Sequence, residues 1–394
     1  MNLSPKLILF CKQHENDDVY ILALQAHLYP DIDLQFAIRQ IKGMQIAKNK
    51  LPRWYVYEQI LYPPHLSLEQ ASSEKSGLYK QELCIKGDTM IDLTGGLGVD
   101  CSFLSKRFNR AVYVEQQLDL SLLAKHNFGV LGLDNIEVVN EDAVKYLQEM
   151  EGGVDLIYID PARRNTQGNK IFLIEDCTPN LLEIQDILIS KAQRVMIKLS
   201  PMLDLTLALS KLKNVSSVHI VSVNNEVKEL LFIVEQRQIA GSKFYCVNIQ
   251  KKGLDTFSFD SEEEGAVSIT YTSDIKMYLY EPNASIMKAG AYKLAAHRFG
   301  LEKLHVNSHL FTSDTLVAEF PGRIFKAKSV FSLSKSDLKK NVSDIKKMNI
   351  TIRNFPMTVD ALRKRLKVSE GGDDYLFATT IANGQKVLVL CEKL

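Results

Sequence analysis

Between Met90 and Asp100 the chain reads Met-Ile-Asp-Leu-Thr-Gly-Gly-Leu-Gly-Val-Asp, a short apolar run that feeds straight into three glycines within four residues. The pattern predicts a strand, a tight turn and a helix over residues 101–108. Glycine lets a backbone approach a ligand where any Cβ would collide. A strand, a glycine turn and a helix start together form the corner with which α/β proteins hold nucleotides. The order Gly-Gly-Leu-Gly fits neither the dinucleotide fingerprint nor the phosphate-binding loop, which needs a Gly-Lys-Ser/Thr ending.

The rest of the chain supports an α/β reading. Its 394 residues exceed one typical domain. Residues 1–84 carry apolar residues at helical spacing, punctuated by Pro30, Pro52 and Pro63-Pro64. Residues 85–240 alternate strand and helix patterns. The strand candidates are 89–93, 111–115, 136–140, 154–159 and 194–199. They are near-continuous apolar runs, as a sheet covered on both faces requires. Two further runs, 217–223 and 229–235, lie too close in sequence for a parallel crossover and predict an antiparallel hairpin. Residues 241–320 read as a β-rich connector followed by an α+β segment, with a helix at 284–299 and a strand at 316–320. Residues 321–394 include strands at 329–333 and 348–353, a helix at 359–366, and strands at 375–381 and 386–392.

Several polar residues stand at strand ends, where open α/β sheets bind ligands. Asp92 closes the first strand. Glu115 closes the second, 23 residues later, a place where an acid can accept both hydroxyls of a ribose. Asp142 follows the third strand and is a candidate for reading an adenine amino group; it is equally placed to cap the next helix. Asp160-Pro161-Ala162-Arg163-Arg164 follows the fourth. A carboxylate and a backbone carbonyl there can orient an attacking amine, and orientation supplies much of the rate of an in-line displacement. Arg163 and Arg164 suit phosphate or base stacking. Lys198 closes the fifth strand, facing either the pocket or solvent.

Residues 92–100 together with Asp160-Pro-Ala-Arg-Arg164, preceded by Ser72-Ser-Glu74 and Tyr79-Lys80, resemble the bacterial THUMP-like class I methyltransferases. These are relatives of trimethylguanosine synthase and of RNA base methyltransferases. The C-terminal matches are Glu281–Gly290 with Asn307–Ser313, and Phe320-Pro-Gly-Arg323 onward. The resemblance implies a class I methyltransferase sheet, parallel with a terminal antiparallel hairpin. An N-terminal helical domain (1–84) would precede it, and a C-terminal ferredoxin-like (241–320) and THUMP-like (321–394) α+β module would follow. It implies S-adenosylmethionine as cofactor, held by Asp92, Thr94, Gly95, Gly96, Gly98, Asp100, Glu115 and Asp142. Asp92 would sit near the methionine ammonium, Glu115 on ribose and Asp142 near adenine. The catalytic set is Asp160, Pro161, Arg163 and Arg164, and the implied reaction is methylation of a nucleobase amine in RNA. Amine methyltransferases usually carry Asp/Asn-Pro-Pro and an aromatic residue; here Ala162 and Arg163 stand instead. Enzymes that methylate uridine carbon need a cysteine after the fifth strand, where this chain has Lys198-Leu-Ser-Pro201. A methyltransferase for protein or small molecules, and an inert cofactor-fold protein, are the alternatives.

Formal net charge is +1, so affinity for a polyanion has to come from local charge. The C-terminal block supplies it: Lys326, Lys328, Lys335, Lys339, Lys340, Lys346, Lys347, Arg353, Arg363, Lys364, Arg365 and Lys367 face Asp337, Asp344 and Asp360. This is the footprint of phosphate-backbone binding and suggests an RNA partner. No run approaches membrane-spanning length, and the start lacks a secretory pattern. The six cysteines are scattered, with no metal-ligand spacing. The expectation is a cytoplasmic protein with no metal and no membrane partner.

Overall fold

A computed structural model describes residues 4–163, 174–238 and 240–394, with only the backbone at 65–67 and 163. The chain divides into two compact units, Met1–Val218 with Glu229–Ala240, and His219–Lys228 with Gly241–Leu394.

The first unit opens with α1 (Pro5–Gln13), α2 (Val19–Leu24), α3 (Leu34–Lys50), α4 (Pro52–Tyr55), α5 (His65–Gln70) and α6 (Glu74–Leu83). Their starts are written locally. Ser4, Asp18, Asp33 and Ser73 accept backbone N–H bonds as N-caps, and Pro5 and Pro52 open their helices. The inner stripe of α3, with Leu34, Ala37 and Ile41, packs on Phe10, Val19 and Leu22. A second core joins Trp54, Tyr62 and Leu68 to Leu97, Val99, Phe103 and Leu123. The N-terminal helices therefore share a core with the segments around the glycine turn.

The sheet of this unit alternates with helices: β1 (Gly87–Asp92), α7 (Val99–Leu104), β2 (Phe108–Val114), α8 (Leu118–Val130), β3 (Ile136–Val139), α9 (Ala143–Glu149) and β4 (Val154–Ile159). Two short strands, β5 (Ala162–Arg163) and β6 (Cys177–Thr178), pair with each other. Then come α10 (Leu181–Lys191), β7 (Ala192–Leu199), α11 (Leu205–Lys211) and the hairpin of β8 (Val215–Val223) and β9 (Glu226–Glu235). The order is β9-β7-β4-β1-β2-β3. The pairs from β7 to β3 are parallel, and β9 runs antiparallel to β7. Strand order reverses between β1 and β4, so the crevice at their carboxyl ends is the ligand position of an open α/β sheet. The expected parallel sheet closed by an antiparallel hairpin is present.

In the second unit, β10 (Lys243–Gln250) pairs antiparallel with β11 (Gly253–Asp260), and α12 (Glu263–Ala266) follows. A seven-stranded sheet is built from β12 (Tyr278–Pro282), β13 (Glu302–Lys303), β14 (Phe311–Ser313), β15 (Gly322–Phe331), β16 (Asn349–Arg353), β17 (Asp374–Thr380) and β18 (Lys386–Lys393). Its order is β13-β14-β12-β15-β18-β17-β16. Its helices are α13 (Ala284–Ala289), α14 (Tyr292–Arg298), α15 (Lys335–Val342) and α16 (Val359–Leu366). Two expectations fail here. The single helix over 284–299 is two, because Gly290 takes a left-handed φ of 76° and caps the first. Residues 316–320 form no strand; the Val317 N–H donates to the Tyr280 hydroxyl at 3.0 Å, and β14 ends at Ser313.

One buried amide ties the N-terminal helices to the sheet. Asn127 of α8, fully buried, accepts from the Leu61 N–H and donates to the Leu61 carbonyl, both at 2.9 Å. Replacing it by leucine strands both backbone groups. Asn127→Leu should lower unfolding stability by about 1–3 kcal/mol, read from urea unfolding followed by circular dichroism.

Candidate functional site

The glycine turn is shaped by what packs beneath it. A Cβ on Gly95 would lie 2.0 Å from the Tyr113 ring, and one on Gly98 would lie 2.7 Å from Phe128. Gly98 also has φ of +80°. These two are glycine for the core of the sheet. Gly96 differs: its φ is +54°, and a Cβ there would meet only the Thr94 carbonyl, at 3.9 Å. The backbone around Gly96 is therefore the bare part of the turn. Its carbonyl accepts from the Tyr113 hydroxyl at 2.5 Å, and its N–H donates to Glu115 Oε2 at 2.9 Å.

Two acids flank this turn. Asp92 is 1 % exposed. Burial pushes its carboxyl well above the usual range, although the Thr94 N–H donates to it at 3.1 Å; Asp100, Asp160 and Glu115 push the same way. Glu115 also accepts the Gln117 N–H at 2.8 Å. Asn140 braces the end of this strand by donating to the Glu115 carbonyl at 2.7 Å. Asp142 caps α9, accepting the Val144 and Lys145 N–H groups through Oδ1. Thr94 links the turn to the next strand end, because its hydroxyl accepts the Asp160 N–H at 2.6 Å.

Beside the turn lies an ion cluster that joins residues the sequence analysis named separately. Lys80 of α6 is wholly buried. Its ammonium stands 2.8 Å from Asp100 Oδ1 and 2.7 Å from Glu229 Oε2, and donates to Ser72 Oγ at 2.9 Å. Ser72 and Tyr158 both donate to Asp100 Oδ2 at 2.7 Å. Lys198 of β7 reaches Asp160 Oδ2 at 2.5 Å and Asp100 Oδ2 at 3.7 Å. Burial alone would raise the Asp100 carboxyl, but Lys80 and Lys198, with bonds from Lys80 and Tyr158, hold it well below the carboxylate range. Burial alone would lower Lys198, but Asp160, Asp100 and Glu229 hold it above the usual lysine range. The cluster thus contains two ammonium groups among three carboxyl side chains.

The expected residues now sort by place. Asp92, Thr94, Gly95, Gly96, Gly98 and Glu115 gather at the switch point. Asp160 ends the adjoining strand, and Pro161 is buried after it. The Asp100 side chain is engaged with Lys80, Ser72 and Tyr158. Arg163 is described by its backbone in β5 alone, and Arg164 and the 165–170 loop lie outside the described residues. Sequence reasoning missed Tyr158 and Glu229, and it named Lys80 in the Tyr79-Lys80 motif without giving it a role. One signal was available: Glu229 opens the apolar run Leu230-Leu-Phe-Ile-Val, where a charge has to find a partner.

The basic C-terminal block is partly neutralised. Arg353 and Arg323 both pair with buried Glu281, Lys328 pairs with Asp374 and Glu392, and Arg363 pairs with Asp360 and Glu370. Lys335, Lys339, Lys340, Lys346, Lys347, Lys364, Arg365 and Lys367 remain exposed. Among the described residues no group of three or more His, Cys, Asp or Glu side chains is arranged to hold a metal. No described helix is long and apolar enough to cross a membrane.

Residues 278–321 match a ferredoxin-like domain family, and residues 322–393 match a THUMP domain-like family. A crystal structure from Porphyromonas gingivalis W83, described as that of a methyltransferase, is 34 % identical in sequence. It aligns over 98 % of this chain and 97 % of its own, with a TM-score of 0.88. A Mycoplasma mobile protein named as an uncharacterized RNA methyltransferase is 28 % identical over 116 residues, which is 29 % of this chain. The chain spans about a third (32 %) of the length of that curated relative.

Removing one partner of a buried ion pair leaves the other charge uncompensated, which costs about 3–5 kcal/mol. Lys80→Met should destabilise the first unit by that order in urea unfolding. The double variant Lys80→Met/Glu229→Leu should recover part of the loss.

Proposed function

Because the chain belongs to the family of methyltransferases that carry a THUMP-like domain, we propose that it transfers a methyl group from S-adenosylmethionine to RNA. The observation that carries this reading is the bare turn at Gly96, flanked at the strand-order switch by the acids Asp92 and Glu115. A donor carrying an ammonium, a ribose and a sulfonium suits that lining. When bound, it supplies an electrophilic methyl group. On this reading Asp92 faces the ammonium and Glu115 takes the ribose hydroxyls. To do so Glu115 exchanges its bond from the Gly96 N–H for bonds from the ligand. Asp142 keeps its capping bonds through Oδ1 while meeting the adenine amino group. Thr94, Gly95 and Gly98 shape the turn, and Asp100 anchors it from behind.

Asp160 and the Pro161 carbonyl orient the acceptor, and Arg163 and Arg164 hold the substrate. The Asp-Pro motif of the sequence favours a nucleobase amine as acceptor. RNA is supported by the THUMP-like match and by the exposed lysines of α15 and α16, because phosphate contacts supply most of the affinity for a nucleic acid. A ribonuclease-sensitive acceptor in a cell extract supports the reading. Unchanged methyl incorporation after ribonuclease treatment overturns it in favour of a protein or small-molecule acceptor.

Asp92→Asn separates ligand binding from folding. The amide is neutral and nearly isosteric, so it removes a buried group whose ionisation the surroundings oppose. Thermal stability should be unchanged or higher. Affinity for S-adenosylhomocysteine, measured by isothermal titration, should fall roughly tenfold or more, since a hydrogen bond to a charged group is worth about 1.5–3 kcal/mol.

A further inference from the structure

We propose that the acceptor atom is the ribose 2′-hydroxyl of an RNA nucleotide, received between Asp160 and Lys198. The inference rests on the reading above for methyl transfer to RNA, and it replaces the nucleobase amine favoured by the motif alone with a ribose hydroxyl.

Within the ion cluster, Asp160 and Lys198 are the members that an acceptor meets first. The Asp160 side chain is 37 % exposed and that of Lys198 13 %, against 0 % for Lys80, 9 % for Asp100 and 3 % for Glu229. They stand on neighbouring strand ends and touch at 2.5 Å. Any acceptor held by Asp160 therefore also faces the Lys198 ammonium.

That ammonium decides between nitrogen and oxygen. An amine that attacks a sulfonium methyl gathers positive charge on nitrogen. Lys198 would repel that charge and compete for Asp160 Oδ2. The aromatic residue that would stack on a target base is also missing, with Arg163 in its place. A hydroxyl behaves in the opposite way. It is a weak nucleophile until its proton leaves, and negative charge then develops on oxygen. A fixed ammonium stabilises that charge, and a carboxylate beside it takes the proton. Lys198 is fixed in this sense, because Asp160 and Asp100 both draw it. Beneath them, Lys80 offsets Asp100 and Glu229. Within an RNA strand the aliphatic hydroxyl on offer is the 2′ one, the group that distinguishes RNA from DNA.

The step balances without another reagent. The 2′-oxygen–carbon bond forms as the donor's carbon–sulfur bond breaks, with the electron pair staying on sulfur. The hydroxyl proton passes to the Asp160 carboxylate and from there to water. Lys198 keeps its protons throughout.

The test uses the whole protein, donor labelled in its methyl group, and RNA from cells lacking the protein, digested to completion with alkali. Alkaline cleavage needs a free 2′-hydroxyl, so a 2′-O-methylated residue survives within a dinucleotide. Label in alkali-resistant dinucleotides is the expected result. Label in mononucleotides places the methyl on a base; it overturns the hydroxyl assignment and leaves methyl transfer to RNA intact. No label in RNA, from protein that binds S-adenosylhomocysteine, overturns both. Lys198→Met should lower kcat at least a hundredfold while S-adenosylhomocysteine affinity stays within threefold. Wild-type kcat in that variant overturns the role of Lys198. If the methionine variant fails to fold, Lys198→Gln takes its place with the same two readouts.

Discussion

The site depends on one buried ammonium. Moving a charged lysine head out of water costs several kcal/mol, which only close opposite charges offset. Lys80 meets that cost with Asp100, Glu229 and Ser72. Its charged partners come from distant parts of the sequence: Lys80 stands on the helix before the sheet, Asp100 on the helix after the glycine turn, and Glu229 on the returning strand of the terminal hairpin. Lys80 and Glu229 are 149 residues apart. The ammonium is satisfied only when all these parts have closed around it. The same closure sets Asp100 behind the turn and Lys198 against Asp160. Folding and site assembly are therefore one event in the first unit.

This cluster also explains why the glycine turn carries an acid at its end. Asp100 sits in the first turn of α7, where a carboxylate is favoured by the helix dipole. It turns inward to Lys80 and Tyr158, away from solvent. The turn itself answers to two constraints at once. Gly95 and Gly98 leave room for Tyr113 and Phe128, and Gly96 supplies the left-handed backbone that faces open space. A glycine-rich signature of this kind reads as a ligand loop, yet two of its three glycines are set by the aromatic core below.

The sequence disclosed what neighbouring residues decide. Continuous apolar runs marked β1, β2, β4 and β7, whose residues are largely buried, and also the less buried edge strand β3. The close spacing of the last two runs forced a hairpin. That Asp92, Glu115 and Asp160 stand at the carboxyl ends of strands was legible because each closes an apolar run. What depended on tertiary partners was not legible. Lys80 was legible as part of the Tyr79-Lys80 motif, but nothing local joins it to Glu229. The helix over 284–299 was interrupted by one left-handed glycine. Arg353 and Lys328, counted as free positive charge, are paired with Glu281, Asp374 and Glu392. Of those acids, the first precedes the basic block and the last two follow its final lysine.

On the proposed reading, the charge pattern of the site constrains how an RNA acceptor is held. Asp92 and Glu115 place carboxyl groups at the switch point, whereas Asp100, Asp160 and Glu229 are offset by Lys80 and Lys198. That lining suits a donor with a sulfonium and an ammonium, and it repels a phosphate backbone. Formal net charge of +1 gives no long-range pull to overcome this repulsion, and physiological salt screens exposed charges beyond about 8 Å. An RNA acceptor would therefore have to be held by direct contacts outside this crevice. The exposed lysines and arginine of the THUMP-like domain are suited to that holding. On this argument a donor site and a phosphate-binding module are both needed because one surface cannot attract a cation and a polyanion together.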